Sequence, residues 1–525
     1  MQRRELLKSA ALSALAPATR PLALLAQSAA TSSSAPSFTT SNATWQHAYD
    51  HALEVLAANV QILPRFPKPV LIEGAEYAGI WQECGPHESL VYSSFRPDVA
   101  RNTHMTFFAL QHEDGQLPAD NKRSEAGFGQ IQMVVPIAAT AWELASITGD
   151  SEFLATAYNA CSRWDAWLMR YRNTRSTGLI EGFCTYDTGM DNSPRWAGMP
   201  RQCPDKDARK CAPVPSLPRL CPDLSATVYG ARIALAAMAR ALGKNSDADN
   251  WLEHADTLRK LILARLYVPE DAAFYDLDAQ NHFVKINCCI LTRICGEHVV
   301  DQKLFDTLWS RQLHNPQAFW PAYPLPSVAL NDPLFVRPIP RNSWGGPSQA
   351  LTALRAGRWF DHYHRSAEFT HMMQQWSDAI LRDPSFRQQL DPLTGGFTQS
   401  GSDRYSPCAL VLFDYTWRLA GVRKEIDQLH WNIRPTCAAA TNAVFRLPLS
   451  PSSVAELRYT NNSAQLRINS KLIGRVRGTA RLITTLDGDP KNLLGIDTES
   501  SSVTLARPGH HDLRITLQPN ATHTF

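Results

Sequence analysis

The chain has 525 residues, of which 44% are hydrophobic and 19% are charged, a composition that excludes a disordered or fibrous protein and allows one large core with a second, smaller domain. The formal net charge is +3 and lies entirely in the first 30 residues, where four basic residues stand against Glu5. The near-neutral remainder has no lysine or arginine block, which argues against nucleic acid or an anionic membrane as partner and favours neutral sugars or small molecules.

The first predicted element, residues 1–30, has the features of an export leader. It begins with the twin arginines Arg3 and Arg4, continues as a weakly apolar stretch, and ends with the small residues Ser28 and Ala30. The apolar stretch is broken by Pro17 and is shorter than the roughly 20 apolar residues that span a bilayer. We therefore expect an exported protein, periplasmic or secreted, without membrane insertion after the leader is removed.

Amphipathic helices are predicted over most of residues 45–420. Within 247–266, Trp251, Ala255, Leu258 and Ile262 share one face at helical spacing. The eleven predicted helices lie at 45–59, 98–110, 132–148, 152–171, 224–242, 247–266, 287–296, 300–312, 347–359, 366–382 and 406–420. Their number and the alternation of short and long loops favour stacked helical hairpins in a domain at 31–430.

The last part of the chain, 431–525, has the pattern of a small antiparallel β domain. Leu513, Ile515 and Leu517 alternate with polar residues, and turn signals stand at Asn461-Asn462 and at Asp487-Gly488. The domain is expected to begin near residue 430, after the last helix.

The loop at 178–196, GLIEGFCTYDTGMDNSPRW, contains the strongest candidate chemistry. It combines carboxylates, among them Asp187 and Asp191, with Tyr186, Arg195 and Trp196. A loop with so many charged and aromatic groups is typical of a binding site. The structural alternative is that Asp191 or its neighbour Asn192 caps a helix beginning at Pro194.

Two loop motifs, DNSPR at 191–195 and NSWGGP at 342–347, resemble those of the trehalase and glucosidase clan, which includes glycoside hydrolase families 37 and 63. Within this clan the chain is similar to the mannosylglycerate hydrolases of family 63. The resemblance extends through YAGIWQECGPHESLVY at 77–92 and WPAYPLPS at 320–327 to YSPCALVLFDY at 405–415. It implies an (α/α)6 toroid and an inverting mechanism in which Asp191 is the general acid.

The second catalytic carboxylate is less clear from the sequence. The related enzymes use a glutamate before the final helix as base, whereas this chain has Gln399 there, and an amide cannot accept a proton at neutral pH. Glu83 and Glu88, expected in a pocket-forming loop, and Asp403 are the alternative bases. Each glutamate is open to a structural interpretation, as a salt bridge or a sugar-hydroxyl acceptor. Glu181, close to Asp191 in sequence, is expected on the same wall as the acid.

Aromatic rings and planar polar groups in the same loops are candidates for sugar binding, because apolar sugar faces pack on rings and hydroxyls bind amides or guanidinium groups. Any single indole could equally be core. The substrate-binding candidates are Tyr77, Trp81, Tyr92, Gln130, Tyr186, Arg195, Trp196, Trp320, Tyr323, Arg341, Trp344 and Gln399.

The eleven cysteines and the paired histidines do not predict a metal site. Cys203, Cys211 and Cys221 lie in a proline-rich stretch where a disulfide is plausible, and their spacing matches no usual zinc pattern. His47 with His51, and likewise His362 with His364, lack the further ligand of a zinc hydrolase. No metal and no cofactor are therefore expected.

Two hypotheses of different kinds follow. The first is an exported, exo-acting, inverting glycosidase on a short α-linked saccharide or glycoside; a lyase or phosphorolytic enzyme on the same toroid is a variant. The second is a carbohydrate-binding or sensing protein on a decayed hydrolase barrel, motivated by Gln399.

Overall fold

A computed structural model describes residues 35–398 and 403–525. The predicted leader at 1–30 and the binding candidate Gln399 lie outside these residues. The described chain is rich in helices up to residue 420 and in strands after it.

Within the described residues there are twelve α-helices, which include all the predicted ones with bounds shifted by a few residues. They are α1 (Ala43–Ala58), α2 (Gly85–Val91), α3 (Pro97–Ala109), α4 (Ile137–Thr148), α5 (Ser151–Tyr171), α6 (Pro222–Ala241), α7 (Asn245–Arg265), α8 (Ile290–Gly296), α9 (Gln302–Leu308), α10 (Ala350–Ala356), α11 (Ser366–Arg382) and α12 (Ser406–Ala420).

Local sequence explains how the α4–α5 hairpin forms. Gly149 ends α4 with a φ of +69°, which a residue without Cβ adopts most easily. Asp150 then caps α5, accepting a hydrogen bond from the Phe153 amide at 2.9 Å. Apolar residues of α5, including Phe153 and Trp164, are buried at helical spacing.

Alternate helices form a closed order of contacts. Helix α2 contacts α4, α4 contacts α6, α6 contacts α8, α8 contacts α10, α10 contacts α12, and α12 returns to α2. Helices α3, α5, α7 and α11 pack on α2, α4, α6 and α12 respectively. Every residue of α10 is buried, whereas α7 buries only Ala248, Ala255, Leu258 and Ile262. The even-numbered helices therefore form an inner layer.

Short strands lie mostly in the connections between the helices. They are β1 (Ser37–Thr39), β2 (Val60–Leu63), β3 (Phe66–Leu71), β4 (Gly79–Trp81), β5 (Asp120–Lys122), β6 (Ala126–Gly127), β7 (Glu181–Gly182), β8 (Arg219–Leu220), β9 (Tyr267–Val268), β10 (Ala273–Phe274), β11 (Asp276–Leu277), β12 (Phe283–Val284), β13 (Ser348–Gln349) and β14 (Gln389–Leu390). Ribbons such as β4–β5–β6 and β7–β8–β11–β12 lie in the loops that precede the inner helices.

Two antiparallel sheets follow α12. Their strands are β15 (Val422–Glu425), β16 (Gln428–Ile433), β17 (Val444–Ser450), β18 (Ser453–Thr460), β19 (Ser463–Ile468), β20 (Lys471–Arg477), β21 (Ala480–Thr485), β22 (Pro490–Leu494), β23 (Ser501–Ala506), β24 (Leu513–Leu517) and β25 (Thr522–Thr524). One sheet has the order β1-β17-β18-β19-β20-β23-β24 and the other β15-β16-β21-β22-β25.

The sheet region includes strand residues outside the predicted range 431–525. It begins at Val422, directly after α12, and it also takes in Ser37–Thr39, which pairs with β17. Such a pairing of distant segments leaves no local sequence signal. The sheets are joined to the helices by the Tyr459 hydroxyl, which donates to the Ala420 carbonyl at 2.9 Å, and by an ion pair between Arg481 and Asp361.

No helix of the described residues combines the length and apolar character needed to cross a membrane.

Candidate active site

A cavity of about 190 Å³ lies among the loops and ribbons, with four carboxylates on its wall. Seven predicted site residues meet there: Tyr77, Trp81, Glu83, Gln130, Tyr186, Asp191 and Trp344. The other lining residues are Glu73, Asp120, Lys122, Gln132, Gly189, Gln202, Leu351 and Gln388. A larger open groove of about 670 Å³ between α5 and α7 has one carboxylate on its wall, so the smaller cavity is the candidate active site.

The loop that carries Asp191 is held in place by the buried side chain of Asp187. The Asp187 carboxylate accepts hydrogen bonds from the amides of Ile131 at 2.9 Å and Phe183 at 2.7 Å. It also pairs with the fully buried guanidinium of Arg172. A buried charge that is both paired and hydrogen-bonded fixes its surroundings, so Asp187 anchors the loop.

The Asp191 side chain points into the cavity. The Asn342 amide donates to Asp191 Oδ2 at 3.4 Å, and the Trp344 amide donates to the Asp191 carbonyl at 2.9 Å. Burial raises the pKa of Asp191, against the opposing effects of Asn342 and the charge of Arg201. The turn at Pro194–Trp196 is capped by Ser193, which accepts from the Arg195 amide. The capping interpretation of Asp191 is therefore corrected.

Asn342 is itself oriented by a chain of polar side chains. Gln388 donates from its amide to Asn342 Oδ1 at 3.2 Å, and the Tyr77 hydroxyl donates to Gln388 Oε1 at 3.0 Å. Three segments that are distant in sequence thus cooperate to direct one amide group at Asp191.

Glu83 is the predicted base candidate that lines the same cavity. Burial raises the pKa of Glu83 to about 7, and the Asp191 charge adds to this effect while Arg355 and Arg293 oppose it. Among the described residues, no group donates a hydrogen bond to Glu83 Oε2. This oxygen is buried against Gly189, so the carboxylate has one oxygen without a hydrogen-bond partner in the wall of the cavity.

Gly189 allows Glu83 to lie against the acid loop. Its φ is +60°, and a Cβ at this position would stand 1.7 Å from Glu83 Oε2. A side chain here would meet both the strain of the left-handed region and a direct overlap with the carboxylate.

Replacement of this glycine tests the contact. We expect Gly189→Ala to lower kcat/KM by about 10²-fold, since a displacement of about 1 Å at a reacting group costs that much. Gly198→Ala is the matched control, because Gly198 has a φ of +76° but no atom within 4 Å of its added Cβ. Equal losses in the two variants, measured by steady-state kinetics, would remove the Glu83 contact as the cause.

Two more buried glutamates extend from the cavity into the core. Glu73 lines the cavity and accepts a hydrogen bond from the Tyr405 hydroxyl. Glu88, the second predicted base, lies on α2 behind the cavity rather than in a loop, and burial raises its pKa to about 7. Glu73, Cys84 and Glu88 place ligand atoms within 4.8 Å of one another. Burial also raises the pKa of Glu73 and of Cys84.

Two predicted polar residues lie at the surface, outside the cavity wall. Asp403 is exposed and pairs with Arg387 at 2.7 Å, which removes it from the list of bases. Arg341 is exposed and forms an ion pair with Glu76.

Arg195 is buried under the acid loop instead of facing a substrate. Its guanidinium group forms two hydrogen bonds to Asp223, each 2.8 Å long, and two to Asp276, at 2.8 and 2.6 Å. The Nε, Nη1 and Nη2 atoms of Arg195 all donate to these two carboxylates. Arg195 therefore has a structural role instead of the expected role as a sugar clamp.

Four predicted aromatic residues pack elsewhere. Trp196 is buried and donates from its indole to Thr188 Oγ1 at 2.8 Å. Tyr92 is buried with its ring stacked near Phe95, Trp320 packs edge-on against other rings, and the Tyr323 hydroxyl accepts from Arg382 at 2.8 Å. For the buried Tyr92 and Trp196 the core interpretation replaces the platform interpretation, whereas Trp320 and Tyr323 are half-buried and lie outside the cavity wall.

Sequence reasoning missed several lining residues for identifiable reasons. Glu73 follows the end of β3 by two residues and precedes Gly74, so it lies at the start of a turn after the apolar Leu71 and Ile72. Gln132 follows Gln130 at strand spacing, and this repeat was available as a signal. Asn342 and Gln388 have no local signal, because their contacts are long-range.

Comparison with known proteins gives a consistent result. Residues 77–406 match the family described as mannosylglycerate hydrolase MGH1-like glycoside hydrolase domain. No curated protein matches the chain significantly in sequence. The fold resembles the GH63 mannosylglycerate hydrolase from Thermus thermophilus, with a TM-score of 0.58, 18% identity, and coverage of 70% of this chain and 99% of that chain.

Two further structures share the fold. The GH78 rhamnosidase of Bacillus sp. GL1 has a TM-score of 0.58 at 12% identity, covering 82% of this chain and 41% of that chain. The neutral trehalase from Saccharomyces cerevisiae has a TM-score of 0.51 at 13% identity, covering 69% and 79% respectively. At these identities the likeness concerns the fold alone.

Proposed function

Because the chain belongs to the mannosylglycerate hydrolase MGH1-like glycoside hydrolase family and is a glycosidase, we propose that it hydrolyses a short α-linked saccharide or glycoside by inversion, with Asp191 as acid and Glu83 as base. The observation that carries this proposal is that these two carboxylates line one cavity. Both have raised pKa values, as proton-transfer groups require.

The proposed reaction uses the two groups in opposite directions. Asp191 gives its proton to the glycosidic oxygen while a water molecule attacks the anomeric carbon, and Glu83 takes the proton of that water. The position of Glu83 in the wall of the cavity that Asp191 also lines supports its role as the acceptor of that proton. Asp191 lies between Asp187 and Arg195 in sequence. The hydrogen bonds of Asp187 and the four hydrogen bonds of Arg195 therefore support a rigid position for the loop that carries Asp191.

The two proposed catalytic carboxylates influence each other's protonation. The Asp191 charge contributes to the raised pKa of Glu83, so the two groups titrate as a pair. Burial raises the pKa of Asp191, and the pKa of Glu83 is raised to about 7, so the pair still holds a proton below about pH 7. The productive form is the one-proton state with the proton on Asp191.

We further propose an (α/α)6 toroid with the cavity at one end. The closed contact order of α2, α4, α6, α8, α10 and α12, with other helices packed outside, supports this architecture. The small size of the cavity, about 190 Å³, favours a single terminal sugar and hence exo action.

The alternative of a decayed binding protein depended on Gln399 as a substitute for the base. A second carboxylate in the cavity, Glu83, removes the need for a glutamate at that position. Family membership in a hydrolase class also favours the enzyme.

Export through the leader at 1–30 is part of the proposal and is supported by the Arg3-Arg4 pair. Cell fractionation, with the mature N-terminus identified by mass spectrometry, tests it; a cytoplasmic protein with an intact leader would contradict it.

The function is tested by assaying reducing-sugar release from α-glucosides, α-mannosides and rhamnosides across pH. We expect release from at least one of them, with a bell-shaped kcat/KM profile that falls above about pH 7 as the last proton leaves the pair. No release from any substrate would contradict the proposed function. A profile that stays flat between about pH 6 and about pH 9 would contradict the assignment of the pair.

A further inference from the structure

Two buried thiols lie on either side of the segment that carries Asp191. The sulfur atoms of Cys184 and Cys203 are 3.8 Å apart, and both side chains are buried. We propose that Cys184 and Cys203 form a disulfide under oxidising conditions, which closes the segment containing Asp191. The proposal rests on this geometry and is independent of the sugar that the enzyme cleaves.

The backbone around the two cysteines is already joined. The Thr185 amide donates to the Pro200 carbonyl at 2.9 Å, and the Tyr186 amide donates to the Arg201 carbonyl at 3.1 Å. The Cys203 amide is held by the Gly129 carbonyl at 2.9 Å. Since a disulfide is about 2.05 Å long, the sulfur atoms must approach by roughly 1.7 Å. We expect rotation of the two side chains to supply this movement.

The nearest competing thiol is Cys211. It is half-buried and packs against the small cluster of Phe183, Cys184 and Cys203. Cys221, the third cysteine of the proline-rich stretch, lies instead against Gly182. The sulfur positions therefore favour Cys184 as the partner of Cys203 over the disulfides expected within 203–221.

Arg172 identifies the sulfur that reacts first. Its guanidinium group donates to Cys203 Sγ at 3.7 Å, so the sulfur that we expect to attack the oxidant lies beside a cation. Burial raises the pKa of Cys184 well above its usual range, so Cys184 reacts second.

The chemistry requires a small-molecule disulfide such as oxidised glutathione. The Cys203 thiolate attacks one sulfur of the oxidant, forms a mixed disulfide and releases one thiolate. Cys184 loses its proton and attacks the Cys203 sulfur, which releases the second thiolate. The two protein thiols are oxidised, the oxidant is reduced to two thiols, and these take up the two protons.

The crosslink would restrain the part of the chain that carries the proton donor. The bonded residues are 19 positions apart and enclose Gly189, Asp191 and Arg195. A closed segment of this length reduces the entropy of the unfolded chain. We expect a midpoint of thermal unfolding that is higher by about 3 °C in the oxidised protein, given the size of the chain.

The experiment compares the full chain after incubation with oxidised glutathione and with dithiothreitol. Peptide mapping without reduction is expected to find Cys184 linked to Cys203, with the higher unfolding midpoint. Cys184→Ser and Cys203→Ser should abolish both the linked peptide and the shift in midpoint, while Cys211→Ser, the matched control, should retain both.

Two results would overturn the proposal. One is a Cys203–Cys211 link in place of the proposed pair. The other is no linked peptide in the native protein and none in protein refolded in the presence of the oxidant, which excludes slow access to the buried sulfurs as the reason.

Discussion

Asp191→Asn is expected to lower kcat by about 10²–10⁴-fold while leaving the affinity for the substrate largely unchanged, because an amide has no proton to transfer to the glycosidic oxygen. Asparagine has the same shape, so the contacts of residue 191 with Asn342 and Trp344 can be retained. Steady-state kinetics measures turnover, and calorimetric titration with substrate measures binding by the inactive variant.

Asp205→Asn is the matched control for this substitution. Asp205 lies in a nearby loop, is exposed, and pairs only with the exposed Lys210 among its described charge contacts. We expect wild-type turnover from this control. Wild-type turnover from Asp191→Asn as well would exclude Asp191 as the acid.

Arg195→Met is expected to have the largest effect on stability. The substitution leaves Asp223 with only Arg293 as an ion-pair partner and leaves Asp276 without its guanidinium partner, both in the core. Removing one member of a buried ion pair costs about 3–5 kcal/mol. Burial alone raises the pKa of Asp223, but Arg195 and Arg293 outweigh it and hold the pKa at about 2, so the carboxylate stays charged.

The free energy of unfolding in urea tests this expectation. Arg209→Met is the control, since Arg209 forms an ion pair with Asp207 at the surface, where such pairs contribute about 0–1 kcal/mol. A stable Arg195→Met variant with a strongly raised KM would restore the sugar-clamp hypothesis.

The helices were predictable where a long apolar face exists, and less so where it does not. Helix α11, predicted at 366–382, has those bounds in the structure, because Phe369, Met373 and Trp376 repeat at helical spacing. Helix α2 was missed because seven residues containing Gly85 and Pro86 resemble a loop, and its buried side chains include the polar His87 and Glu88. Two-residue strands such as β7 are too short to show alternation.

The site was predictable only in part, since sequence proximity does not determine where a side chain points. Asp191 and Arg195 are four residues apart, yet one faces the cavity and the other faces the core. Arg195 turns inward because its partners, Asp223 and Asp276, come from segments 28 and 81 residues away. The same long-range pairing conceals Asn342 as the residue that orients the acid.

The central claim is that Asp191 is the acid and Glu83 the base of one catalytic pair. The most direct test is turnover of a glycosyl fluoride of the preferred sugar by Asp191→Asn and Glu83→Gln. Fluoride needs little protonation to leave, whereas the attacking water still needs a base.

We predict that Asp191→Asn hydrolyses the fluoride far better than the natural glycoside, while Glu83→Gln loses activity on both. The reverse pattern, with only Glu83→Gln active on the fluoride, would exchange the two roles. Activity of both variants on both substrates would contradict the catalytic pair.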